Sequence, residues 1–213
     1  MTTDEVTPAE DNDKLILPDF SIIDSDSRLL ELYGEVNEER TQKAIAELYY
    51  WRDLKGSAST PEHTHNPDMP PLTNSHLPID FIISTEGGSV PEMFAIYDCI
   101  RDVRKSCEIH TFGVGKVMSA GVLLIAAGTK GKRKIGRNCR LMLHALSGGQ
   151  FGSLKELEVD IKEVKWYQTQ YTKALFEETN LTEKKIRSIF RRKTDTYFDA
   201  DQAVEWGIAD EVV

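Results

Sequence analysis

Gly115-Lys-Val-Met-Ser-Ala-Gly-Val-Leu-Leu-Ile-Ala-Ala-Gly128 is the stretch from which the rest of the chain can be read. Ile109–Val114, just ahead of it, has the composition of a strand, and Gly128 is a natural C-terminal stop for a helix. Between them the sequence turns apolar at once, so its helical part should be buried over nearly its whole surface. The first helical turn carries one hydroxyl, on Ser119, with the small residues Ala120 and Gly121 following it. Two readings follow. As a helix cap, Ser119 would accept a hydrogen bond from backbone N–H groups two or three residues on. As a nucleophile, it would present Oγ at the positive end of a helix with no bulky shield and with backbone donors close by.

Composition narrows the class. The chain has 213 residues, enough for one well-filled domain, and a net charge of −9 spread through the sequence, which argues against nucleic acid as the main partner. Cys99, Cys107 and Cys139 show no paired or metal-like spacing, as suits a reducing compartment. The apolar run Val117–Ala127 is too short to cross a bilayer, and the acidic start Met-Thr-Thr-Asp-Glu-Val lacks the apolar centre of a signal peptide. The expectation is a soluble protein of the cytoplasm, or of an equivalent organelle stroma or matrix.

Taken in order, residues 1–18 form an acidic segment expected to be flexible, and 19–213 a single domain. Arg28–Val36 reads as a strand, and Asn37 caps a helix with Ile45, Leu48 and Trp51 on one face. The stretch 56–78 holds Pro61, Pro67, Pro70, Pro71 and Pro78 and is expected to be a long surface loop. His63, His65 and His76 within it have no cysteine or carboxylate pair to complete a metal site, so no metal is expected. Ile79–Ser84 reads as a buried strand, Glu86–Val90 as a tight turn, and Pro91 opens a helix. Arg133–Arg137 and Leu141–Ala145 read as short strands, Ser147–Gly152 as irregular, and Leu154–Glu178 as a long helix. Thr182 starts another helix, Asp199 and Gln202 form a capping box closed at Gly207, and Ile208–Val213 is a candidate edge strand. Strand, turn and helix alternate, so the class is α/β built from βαβ units.

Three further features stand out. Gly87-Gly88 lies between a strand and a helix, where glycine allows unusual backbone angles and close ligand approach; an ordinary tight turn is the plainer reading. His144 ends the apolar run Leu141-Met142-Leu143, as a core histidine or as a base. Asp195 sits in Lys193-Thr194-Asp195-Thr196-Tyr197-Phe198, as a solvated acid near a turn or as a carboxylate that orients the histidine. Serine, histidine and aspartate on three separate elements are what acyl transfer requires, but spacing alone does not bring them together.

The series of motifs resembles one family. Gly87-Gly88-Ser89-Val90 with Ala95-Ile96-Tyr97-Asp98, Ser119 within Met-Ser-Ala-Gly, Ala127-Gly128-Thr129-Lys130-Gly131-Lys132-Arg133, Arg140-Leu141-Met142-Leu143-His144, Gly148-Gly149 before a long helix, and Asp195 ahead of Ala203-Val204-Glu205-Trp206-Gly207 are similar, in that order, to the proteolytic subunit of the Clp protease (ClpP). The resemblance runs from about Ser27 to the C-terminus, interrupted by the loop at 56–78.

It implies a crotonase-like (ClpP) spiral of repeated βαβ units with a protruding long helix, Leu154–Glu178. It implies a ring-forming serine peptidase in which Ser119 is the nucleophile, His144 the general base and acid, and Asp195 the orienting carboxylate. The N–H groups of Gly88 and Ala120 would form the oxyanion hole. Gly87, Gly148, Gly149 and Gln150 would line the groove where substrate adds as a strand. No cofactor is implied, because ATP is used only by the partner. Those partners are copies of the chain in a heptameric ring, stacked in the family as a tetradecamer, an AAA+ unfoldase and unfolded polypeptide.

The sequence departs from the family at several points. Glu86 replaces a usual proline, Ala120 a usual methionine, and Lys134 an apolar or aromatic residue of the unfoldase-docking cleft. Thr194 replaces an arginine that commonly helps join the rings, and residues 1–20 do not match the family's pore-lining segment. Three other functions remain to be weighed. One is a non-catalytic ring component or adaptor that modulates another peptidase. A crotonase-type acyl-CoA enzyme would not need Ser119 and His144 together. A serine–lysine peptidase would have to use Lys116, which is poorly placed three residues before Ser119.

Overall fold

A computed structural model describes residues 28–53, 77–148 and 151–213. The acidic segment 1–18, nearly all of the 56–78 loop with its three histidines, and Gly149 and Gln150 lie outside the described residues.

β1 (Leu29–Val36) alternates, turning Leu30, Leu32 and Val36 into the core. Asn37 caps α1 (Glu38–Asp53), its Oδ1 accepting the Arg40 N–H at 3.1 Å. The buried stripe of α1 is Thr41, Ala44 and Leu48, with Ile45 and Trp51 only half-buried at its flank. The expected face was thus rotated toward smaller residues, which let α1 lie against α2 (Val90–Val103). β2 (Ile79–Gly88) and β3 (Ile109–Met118) continue the sheet in parallel.

Both strands run longer than the sequence suggested. Thr85 pairs with Val117, and Glu35 and Val36 pair with Gly87 and Gly88, across register shifts after Tyr33 and Ile83. The Glu86–Val90 run read as a tight turn is therefore, through Gly88, an irregularity inside the ladder, which lets the strands bend without ending.

β4 (Lys134–Ile135) and β7 (Glu211–Val212) complete a parallel order β1-β2-β3-β4-β7. β3 divides its partners. Phe112 and Gly113 pair with β4, while Lys116–Met118 pair with β5 (Arg140–Leu143). β6 (Thr196–Phe198) then pairs antiparallel with β5. β6 is not legible in the sequence, because three residues between polar runs carry too little alternation to read.

α3 (Ala120–Ala126) is buried at every position, as its composition demands. α4 (Leu154–Glu178) starts at a capping box of Ser153 and Glu156 and has two unlike halves. Tyr171, Thr172, Ala174, Leu175 and Glu178 are buried, whereas Leu154, Val159, Ile161, Val164 and Trp166 are exposed. Glu178 is only 2 % exposed and is held by Arg104 at 2.7 and 2.9 Å and by the Tyr97 hydroxyl at 3.1 Å. Burial, with the Glu178 charge beside it, pushes the Tyr97 phenol up. Arg133 donates to the carbonyls of Ala126 and Glu178, placing a cation at the C-terminal ends of α3 and α4. α5 (Glu183–Phe190) and α6 (Ala200–Glu205) follow, capped by Thr182 and by the Asp199–Gln202 box.

Candidate active site

Ser119 is the single residue between β3 and α3. Joining strand to helix with no loop forces an unusual backbone, φ 54° and ψ −115°, and Ser119 is the only non-glycine with positive φ among the described residues. Such a conformation costs on the order of 1–3 kcal/mol and persists only where the surroundings hold it. Here three hydrogen bonds do so. The Ser119 N–H donates to the Met142 carbonyl at 2.8 Å, and its carbonyl accepts from the Val122 N–H at 3.1 Å and the Tyr171 hydroxyl at 2.9 Å.

The side chain makes no capping bond. Oγ instead lies 2.8 Å from His144 Nε2. Register brings the strand ends together: Met118 pairs with Met142, so Ser119 and His144 leave neighbouring strands at nearly the same level, and the irregular backbone of Ser119 turns Oγ to the ring.

The same logic places Asp195. In the antiparallel β5–β6 ladder Met142 faces Tyr197 and Leu143 faces Thr196, so the next pair in line is His144 and Asp195. His144 Nδ1 is 4.0 Å from Asp195 Oδ1, a distance for charge attraction and too long for a hydrogen bond. The Asp195 side chain is 47 % exposed and that of His144 26 %.

Gly87 and Gly88 border Ser119. A Cβ at Gly87, where φ is +100°, would sit 2.6 Å from the Ser119 Cβ, so only glycine lets β2 pass this close to the serine. A Cβ at Gly88 would strike the Val36 carbonyl at 2.3 Å. The buried Thr85 hydroxyl accepts the Gly87 N–H at 2.9 Å and steadies this irregular end of β2. The Ala120 N–H belongs to the first turn of α3, whose donors have no partner within their own helix. Gly148 is exposed and irregular.

Lys116 does not approach Ser119 as a base. Its Nζ binds Glu86 Oε2 at 2.7 Å, and that hydrogen bond holds the Glu86 carboxyl below its ordinary range. Nor does a thiol compete: Cys139 is buried, and burial pushes it up to about 11. Among the described residues no three or more His, Cys, Asp or Glu side chains are grouped to hold a metal, and no helix is long and apolar enough to cross a membrane.

A family model described as Clp protease matches residues 71–213, a span that contains Gly87, Gly88, Ser119, His144 and Asp195. The chain belongs to the Clp protease family. The fold is accordingly the crotonase-like α/β of that family, and the parallel sheet with its helices agrees with it. β1 lies ahead of the matched span yet pairs with β2 along its length, so it is part of the same sheet.

Two contributors escaped the sequence reading, Tyr171 and Gln168. Gln168 Oε1 accepts the Leu146 N–H at 2.8 Å, steadying the backbone just after His144. The spacing of Tyr171, Ala174, Leu175 and Glu178 marks one helix face and could have shown that Tyr171 is buried. It could not have shown which carbonyl the phenol meets.

Proposed function

We propose that this member of the Clp protease family is a serine endopeptidase subunit that hydrolyses peptide bonds of unfolded polypeptides. The observation that carries the reading is the 2.8 Å contact between Ser119 Oγ and His144 Nε2, made where Oγ could have capped α3 and does not. His144 takes the hydroxyl proton as Oγ attacks the peptide carbonyl, then gives it to the departing amine. Asp195 favours the resulting imidazolium by charge. The N–H groups of Gly88 and Ala120 receive the oxyanion, and such donors each contribute about 10²- to 10³-fold in turnover. Substrate lies as an added strand along Gly87, Gly148, Gly149 and Gln150. The chemistry uses side chains and backbone amides, with no cofactor.

Assembly belongs to the same proposal: a heptameric ring, stacked as a tetradecamer, served by an AAA+ unfoldase that alone consumes ATP, in the cytoplasm or an organelle stroma or matrix. Lys134, paired with Glu211 at 3.8 Å, and Thr194, exposed beside Asp195, stand at the positions where docking and ring stacking draw on other residues in the family. Threonine cannot supply the bidentate pairing of a guanidinium, so the rings stack weakly and activity is low unless stacking is favoured.

A second reading, a weakly active ring component that modulates another peptidase, draws on the long His144–Asp195 distance. Hydrolysis of a short fluorogenic peptide separates the two. Under the first, wild type turns over and Ser119→Ala loses about a million-fold. Equal rates in the two proteins would remove the serine mechanism.

A further inference from the structure

Tyr171 is 1 % exposed, its ring stacked on Phe190 at 5.4 Å, and its hydroxyl donates to the Ser119 carbonyl at 2.9 Å. A buried phenol needs an acceptor, and any carbonyl would serve that need. This carbonyl is a particular one. It shares a peptide plane with the Ala120 N–H, and in a trans peptide the C=O and N–H point in opposite directions. Gripping the oxygen therefore fixes the direction of the nitrogen's proton. The plane also adjoins the one strained non-glycine residue among those described, where ψ of −115° leaves it without the guidance of regular helix or strand. The Val122 N–H holds the same oxygen at 3.1 Å, but it moves with α3, whereas Tyr171 reaches in from α4.

We propose that Tyr171 is a positioning residue that aims the Ala120 N–H at the developing oxyanion. The inference rests on Ser119 being the nucleophile, and its test separates the two. Tyr171→Phe removes one oxygen and keeps the ring on Phe190. With the Val122 bond retained, the oxyanion donor is misaimed rather than lost, so kcat falls about tenfold, well short of the loss for deleting a donor outright. KM stays within about twofold, because ground-state binding makes no use of this amide. Affinity for a peptide boronate, which forms the tetrahedral adduct, falls in proportion to kcat/KM, while affinity for the peptide product is unchanged. Rates are taken per fluorophosphonate-titrated site, so any unfolded fraction drops out.

Leu175→Val is the control. It trims the buried face of α4 one turn on and leaves the phenol in place, so it should lower the melting temperature yet keep kcat. Undiminished kcat in Tyr171→Phe overturns the proposal. So does a fall in kcat without a matching loss of boronate affinity, or an equal fall in Leu175→Val. Activity surviving in Ser119→Ala would strike the serine mechanism itself and would be read separately.

Discussion

His144 has a neighbour on each side, and the chain supplies them by different means. Ser119 comes from the junction of a buried strand with a buried helix, pinned by bonds to Met142, Val122 and Tyr171. Asp195 comes from an exposed stretch, Arg191–Asp195, that follows α5 and leads into a strand of three residues. The first contact is a hydrogen bond of 2.8 Å, and the second is 4.0 Å between half-solvated groups. Where the core fixes both partners the contact closes; where a short ladder delivers one, the groups are aligned but apart.

The sharpest way to break the comparison is to remove each neighbour's share in turn. His144→Ala should reduce kcat by roughly 10⁶, as loss of a unit that works together does. Asp195→Asn should cost less, about 10⁴ or below, since in the present geometry it makes no direct hydrogen bond to the ring. Equal losses from the two variants would mean that the 4.0 Å separation closes in the working enzyme.

The two halves of α4 offer a second contrast of the same kind. Leu175→Ala, in the buried half, should cost about 2–5 kcal/mol of stability by thermal or denaturant unfolding. Val159→Ala, in the exposed half, should stay within about 0.5 kcal/mol. A large effect at Val159 would show that the outer half is covered by another surface in the working assembly.

The smallest effect concerns acid. Burial works to raise the Asp210 carboxyl, but hydrogen bonds from the side chain and backbone of Arg133 outweigh it and hold the group below its ordinary range. A carboxyl depressed in the folded state contributes stability that is full above its unfolded value, about 3.9, and is lost as pH falls through the folded one. Asp210→Asn should therefore lower the melting temperature modestly at neutral pH and flatten its decline below about pH 4. An unchanged acid limb would assign that decline to other carboxylates.

The sequence disclosed these regions unequally, and for physical reasons. α3 was legible because seven consecutive small and apolar residues have only one place to go. The bounds of α4 were legible as one long helical stretch after an irregular, glycine-rich one, and the structure adds the capping box that opens it. Strand ends were not: Gly87-Gly88 and Gly115 interrupt the pattern, yet the ladder continues through them because neighbouring strands supply the pairing. At the candidate site, Ser119, His144 and Asp195 could be named through a family resemblance, while their meeting depends on β3–β5 and β5–β6 registers that no single stretch encodes. Tyr171 had neither motif nor spacing to announce its bond to Ser119, since hydroxyl-to-carbonyl contacts between distant elements leave no local trace.

The most direct test of the central claim is intact-mass and peptide mapping after treatment with a fluorophosphonate. The account predicts one adduct per chain, on Ser119, formed rapidly in the wild type and slowed by orders of magnitude in His144→Ala. An adduct on another residue, or equal labelling of Ser119 without His144, would contradict it.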